Sequence, residues 1–169
     1  MRCTSVVIAD RNPVVLQGLM KILSAEGGFK IVASCSDGTS CIEAIRNVVP
    51  DIALLDISMP GLTGLEILAI ANSEGLSTRL IFFTESIEDR ELVVLAAAGA
   101  YGVLPKDVQL EILVQSLRQV ADGQRLLPLP ASDHTVSSGP NLTFRFAWGF
   151  PEGLACASLG DARANEHSF

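Results

Sequence analysis

Short apolar runs of strand character alternate with segments of helical periodicity from Thr4 to Val120, and this alternation limits the possible folds more than any other feature. Thr4 to Ala9 (Thr-Ser-Val-Val-Ile-Ala) is apolar and β-branched and stops at Asp10, as a strand buried on both faces does on reaching a polar site. Asn12 can cap a helix, Pro13 suits its first position, and Val14, Val15, Gly18, Leu19, Ile22 and Leu23 recur at helical spacing until Gly27-Gly28. The unit then repeats. Lys30 to Cys35 reads as a strand, Asp37-Gly38 as a turn, and Cys41, Ile42, Ala44, Ile45 and Val48 as a helix stopped before Pro50. Asp51 to Leu55 is a third strand ending on Asp56, and Gly64 to Ala71 a third helix. Leu80 to Phe83 ends at Thr84 and precedes a helix from about Ile87 to Ala98. Tyr101 to Leu104 ends near Lys106 and precedes a last helix from Val108 to Val120, with Leu110, Leu113, Val114 and Leu117 on one face.

Five strands alternating with five helices predict an α/β fold, a doubly wound parallel sheet with helices on both sides, because parallel strands need right-handed helical crossovers. Ligand sites in such sheets lie beyond the carboxyl ends of the strands. Asp10, Asp56, Thr84 and Lys106 each stand at or just past such an end. A hydrophobic fraction of 49% in 169 residues supplies a real core and excludes disorder of the whole chain. The longest apolar runs are too short to cross a bilayer, and the apolar start runs into Asp10 and Arg11 rather than forming a secretory signal, so a soluble protein is expected.

The four polar residues are complementary. A carboxylate can accept a phosphoryl group in line, giving an acyl phosphate, if cations neutralise the equatorial oxygens. A lysine supplies one point charge, a hydroxyl a hydrogen bond, and a divalent ion such as Mg2+, held by carboxylates, a second charge.

From residue 4 to about 122 the chain resembles the receiver domains of two-component response regulators. The segment Leu-Leu-Asp-Ile-Ser-Met-Pro-Gly-Leu-Thr-Gly-Leu-Glu (54 to 66) is similar to the phosphoacceptor motif, Phe-Phe-Thr-Glu (82 to 85) to the hydroxyl position, and Gly-Ala-Tyr-Gly-Val-Leu-Pro-Lys (99 to 106) to the lysine motif. Ala-Asp-Arg-Asn-Pro and Val-Leu-Gln-Gly-Leu are most similar to the NarL/FixJ (LuxR-type) class. The resemblance implies a flavodoxin-like sheet of order 2-1-3-4-5 and a signalling switch rather than an enzyme. Asp56 would be the phosphoacceptor, with Thr84 and Lys106 beside it, and Asp10, Asp56 and the Ser58 carbonyl would hold Mg2+. It also implies a histidine kinase as donor, a cytoplasmic setting, and a homodimer through the fourth helix, fifth strand and fifth helix, where Leu92, Val93, Val103 and Val108 lie. Ordinary core packing is the competing reading of those four.

Two positions depart from the family pattern. The acidic pair that opens the family's site is here Asp10 followed by Arg11, a cation where the second acidic residue stands. Arg11 either swings to solvent, leaving Asp10 and Asp56 a weaker Mg2+, or pairs with Asp56 and mimics the metal's charge. Val103 stands where the switching aromatic sits, and Tyr101, two residues earlier, shares its face by strand alternation. Pro105 is read as ending the fifth strand.

After Gly123 the periodicity disappears, so 1–122 is read as the receiver and 123–169 as a linker and irregular tail. Leu142-Thr143-Phe144-Arg145 begins like the helix-turn-helix domain of this class, but 146–169 contain one arginine, Arg163, and no amphipathic helix of useful length. A truncated or frame-shifted remnant is the expectation, and the net charge of -7 argues against DNA binding by this chain. Three functions compete: a phosphorelay receiver acting through a partner, a degenerate transcriptional regulator, and a pseudo-receiver that binds partners without phosphorylation. Cys3, Cys35, Cys41 and Cys156 lack metal-ligand spacing and are read as reduced thiols, while His134 and His167 stand isolated in polar sequence.

Overall fold

The computed structural model describes residues 2–127. Residues 128–169 of the tail, with His134, Cys156 and His167, lie outside them. The elements run β1 (Thr4–Ala9), α1 (Pro13–Glu26), β2 (Phe29–Cys35), α2 (Gly38–Val48), β3 (Ile52–Leu55), α3 (Gly64–Ser73), β4 (Arg79–Thr84), α4 (Asp89–Ala97), β5 (Gly102–Pro105) and α5 (Leu110–Ala121). All strand pairs are parallel, and the sheet order is β2-β1-β3-β4-β5, the flavodoxin-like arrangement expected from the sequence.

Strand alternation sorts the core into two layers. Val7, Ala9, Ala53, Leu55, Leu80, Phe82 and Val103 pack against Ile42 and Ile45 of α2, Ile67 and Leu68 of α3, and Leu92 and Leu95 of α4. Val6, Ile8, Ile52, Leu54, Ile81, Phe83 and Leu104 face the other way, onto Leu16, Leu19 and Leu23 of α1 and Leu113, Val114 and Leu117 of α5. With both faces covered, the inner strands β1, β3 and β4 read as apolar runs, and only their ends can carry polar groups without a desolvation cost. Among the described residues no helix is long and apolar enough to cross a membrane.

Local hydrogen bonding moves several boundaries from their expected places. α4 begins after Glu88, whose N–H donates to Glu91 Oε2 (3.1 Å), so Ile87 stays outside the helix. α5 begins at Leu110, since Val108 N–H donates to the Pro105 carbonyl (3.1 Å) in a turn. Beyond α5 the chain turns at Gly123 and returns to the sheet edge, where Leu126 N–H donates to the Tyr101 carbonyl (2.7 Å). Leu126 and Leu127 are buried, one in each layer, although their sequence lacks periodicity. Gly102 leaves room for this return, because a Cβ there would lie 2.9 Å from the Leu126 side chain.

At the amino end of the sheet Asp51 ties β3 to β1. Its Oδ2 accepts from the Ser5 amide (2.9 Å) and hydroxyl (2.8 Å), and Arg2 lies 3.1 Å from Oδ1. The Ser5 amide, then its hydroxyl, hold the Asp51 carboxyl below its ordinary range against the opposing effect of burial, and Arg2 and Arg79 add to this. A carboxyl depressed on folding stabilises above its unfolded value of 3.8, and that contribution is lost as pH falls through the folded value. Asp51→Ala is expected to cost about 1.5–2 kcal/mol at neutral pH. In urea denaturation the gap to wild type should narrow in acid, and a gap independent of pH would refute the assignment.

Candidate functional site

At the carboxyl end of the sheet, the adjacent strands β1 and β3 each deliver an aspartate one residue past their last bridge. Asp10 N–H donates to the Cys35 carbonyl (3.1 Å), and Asp56 N–H donates to the Ala9 carbonyl (2.9 Å), which fixes both backbones. Asp10 Oδ1 accepts from the Asn12 amide (2.8 Å) in the turn that starts α1, and Asn12 Oδ1 caps α1 through the Val14 amide (3.0 Å). Asp56 Oδ1 accepts a longer bond from the Ser58 amide (3.3 Å). One oxygen of each carboxylate is thus used locally. The other, Oδ2, accepts from no backbone amide or hydroxyl among the described residues and is left to the cations of the site, although Asp10 is 1% and Asp56 3% exposed.

Two cations face these free oxygens. Lys106 Nζ lies 2.7 Å from Asp10 Oδ2 and 3.3 Å from Asp56 Oδ2, with its side chain 11% exposed. Its position comes from β5, since Lys106 N–H donates to the Thr84 carbonyl (2.8 Å) where the strand leaves β4. Burial by itself disfavours the ammonium, but the hydrogen bond to Asp10 and the charges of Asp56 and Asp10 outweigh it and hold Lys106 above the ordinary lysine range. Arg11 Nε lies 3.9 Å from Asp56 Oδ2, and this side chain remains 59% exposed. Thr84 is buried at the end of β4, and its hydroxyl donates to the Ser86 carbonyl (2.8 Å). Ser58 is exposed at the rim of a groove that Arg11, Met59, Pro60 and Glu91 also line.

A buried carboxylate with a free oxygen, an ammonium at hydrogen-bonding distance and an exposed guanidinium is suited to take up an electrophilic, polyanionic group. The response regulator receiver domain family matches residues 6–118. The chain belongs to the response regulator receiver family. It is 31% identical over 122 residues to the nitrate/nitrite response regulator protein homolog of Haemophilus influenzae, covering 72% of this chain and 59% of that protein. It is 32% identical over 123 residues to the nitrate/nitrite response regulator NarL of Escherichia coli, covering 73% and 57% respectively. The receiver domain of the putative response regulator NarL from Mycobacterium tuberculosis superposes with a TM-score of 0.71 at 31% identity, covering 73% of this chain and all of that one. The chain thus spans less than two thirds of the length of these curated relatives.

Receivers typically use Mg2+ for phosphorylation. The donors here do not fit a tight divalent site. Asp10 and Asp56 are two carboxylates already faced by two cations, Lys106 and Arg11, so the pair offers an entering dication no net negative charge. Each unit charge about 4 Å from an entering cation opposes it by about 4 kcal/mol per unit of its charge near a protein surface.

The structure brings Asp10, Asp56 and Lys106 together as the strand ends indicated, with Thr84 on the neighbouring strand and Ser58 touching Asp56 through its amide. Of the two orientations open for Arg11, it adopts the one facing Asp56. Tyr101 requires a correction. It does not share a face with Val103, because β5 begins only at Gly102 and alternation does not extend back to Tyr101. Val103 packs in the α4 layer, whereas Tyr101 packs in the α5 layer with the guanidinium carbons of Arg79 and Arg125 at 5.8 and 4.9 Å from its ring centroid. On the α4–β5–α5 face, Leu92 and Val103 are buried and Val108 half-buried, so of the four named residues Val93 alone is exposed. Val94 is exposed as well, and so is Leu110, which helical spacing placed on one face with the buried Leu113, Val114 and Leu117. Cys35 and Cys41 are buried free thiols in the α2 layer of the core, in keeping with interior packing.

Proposed function

We propose that this chain is a phosphoryl-accepting switch in a two-component relay, with Asp56 as acceptor and a histidine kinase as donor. The observation that carries this reading is Asp56 Oδ2, buried, without a directed hydrogen bond and faced by Lys106 and Arg11. In the transfer, Asp56 Oδ2 attacks phosphorus, the bond from phosphorus to the donor's imidazole nitrogen breaks, and the imidazole leaves with a proton from solvent. Lys106 neutralises the oxygens as they move. Thr84 then leaves the Ser86 carbonyl and donates to the phosphoryl group, which reorders the segment leading into α4. The output is altered partner binding, including a homodimer through α4, β5 and α5 whose exposed apolar residues are Val93, Val94 and Leu110. Such a chain works in the cytoplasm, is modified rather than turning over a substrate as an enzyme, and regulates transcription through its partners. Its net charge of -7 disfavours direct DNA contact.

Arg11 beside Asp56 favours a second reading, a pseudo-receiver whose internal ion pairs hold one state without phosphorylation. Incubation with acetyl phosphate followed by intact mass separates the two. The receiver is expected to gain one phosphoryl group that Asp56→Asn cannot take, while no gain under any condition would overturn it in favour of the pseudo-receiver.

A further inference from the structure

We infer that Arg11 takes the place of a divalent ion in this site: its guanidinium holds the phosphoryl oxygens on Asp56, and phosphorylation proceeds without Mg2+. The inference rests on the receiver reading and deepens it. At rest, Asp10 and Asp56 are balanced in formal charge by Lys106 and Arg11, so nothing in the site attracts a dication. A phosphoryl dianion on Asp56 leaves Asp10 and that dianion facing the same two cations, one negative charge in excess. A site with one further carboxylate in place of Arg11 needs a bound dication to reach that same total. Arg11 therefore accounts for the metal's charge both before and after transfer.

Geometry supports the same role. Phosphorus bonded to Asp56 Oδ2 carries its three oxygens outward, toward the gap between Lys106 Nζ at 3.3 Å and Arg11 Nε at 3.9 Å. A guanidinium presents a planar fork of donors that matches two phosphoryl oxygens at once. Arg11 is 59% exposed and its ion pair with Asp56 is long, so its side chain can close on the group without breaking a directed hydrogen bond among the described residues. With acetyl phosphate, Asp56 Oδ2 forms the new bond to phosphorus, the bond from phosphorus to the acetate oxygen breaks, and acetate leaves with that electron pair. No proton moves, and the formal charge is conserved.

The test uses the full chain with acetyl phosphate in excess EDTA or in MgCl2, read by intact mass, with Asp56→Asn as control. Wild type is expected to label at rates within about threefold in the two conditions, and Arg11→Asp to lose about tenfold or more in EDTA and recover in Mg2+. Arg11→Lys should keep most of the metal-free rate, since it keeps the charge and loses only the fork. Calorimetric titration with MgCl2 gives a readout independent of labelling, with Arg11→Asp binding at least about tenfold more tightly than wild type. Wild-type labelling that falls tenfold in EDTA, or equal Mg2+ affinity in wild type and Arg11→Asp, overturns the role of Arg11 and leaves the receiver reading intact. Absence of label in every variant and condition overturns the receiver reading, and this inference with it.

Discussion

Lys106→Met is expected to slow labelling of Asp56 by acetyl phosphate about 100- to 1000-fold, the range for removing one preorganised electrostatic contact from a transition state. Methionine keeps an unbranched stem in a site where the lysine side chain is 11% exposed, so packing changes little and the loss reports the ammonium. Lys106 stands within 3.3 Å of both free carboxylate oxygens and is the less exposed of the two cations there. Removing it leaves Asp10 and Asp56 with Arg11 alone, on the rim. Stability should fall as well, by about 2–3 kcal/mol, less than for a fully buried pair because Arg11 and water reach the site. A time course by intact mass and a urea titration measure the two effects. A labelling rate within about threefold of wild type would mean that the ammonium neither binds nor neutralises the phosphoryl group.

The reason these residues were legible in the sequence is geometric. In a parallel sheet every strand ends on the same edge, so a polar residue closing one apolar run necessarily lies near those closing its neighbours. Asp10 and Asp56 follow β1 and β3, which are adjacent in the sheet, and Lys106 follows β5 by one residue. Periodicity fixes which residues belong to an element but not where its hydrogen bonds begin. Glu88 and Glu91 decide the start of α4, and a one-residue shift at β5 takes Tyr101 out of the alternation that would have put it beside Val103. The direction of Arg11 depends on a flexible side chain at an exposed position, which spacing leaves open. Leu126 and Leu127 were hidden for a related reason: a short return to the sheet edge has neither the two-residue nor the 3.6-residue repeat, yet both side chains are buried.

Gly38 links this legible frame to the loop that carries the acceptor, and Gly38→Ala is expected to destabilise the protein by about 3 kcal/mol, the upper end for overpacking. A Cβ at Gly38 would lie 2.0 Å from the Leu62 carbonyl oxygen and 2.7 Å from its carbon, both backbone atoms that cannot turn aside. Gly38 N–H also donates to the Pro60 carbonyl (2.9 Å), so the first residue of α2 is clamped to the segment following Asp56. To make room, the segment from Ile57 to Thr63 must lift, and with it Ser58, whose amide holds Asp56 Oδ1. Labelling of Asp56 should therefore slow together with the loss of stability. Gly18→Ala is the matched comparison, because Gly18 lies within α1 with nothing within 4 Å of the added carbon. There alanine's helix propensity acts alone and should stabilise by about 0.5–1 kcal/mol, leaving the labelling rate unchanged. Urea titrations of the two variants are thus expected to move in opposite directions. If Gly38→Ala instead matched wild type, the acceptor loop would not be held against α2, and its position would have to be set by Asp56 and its charged neighbours alone.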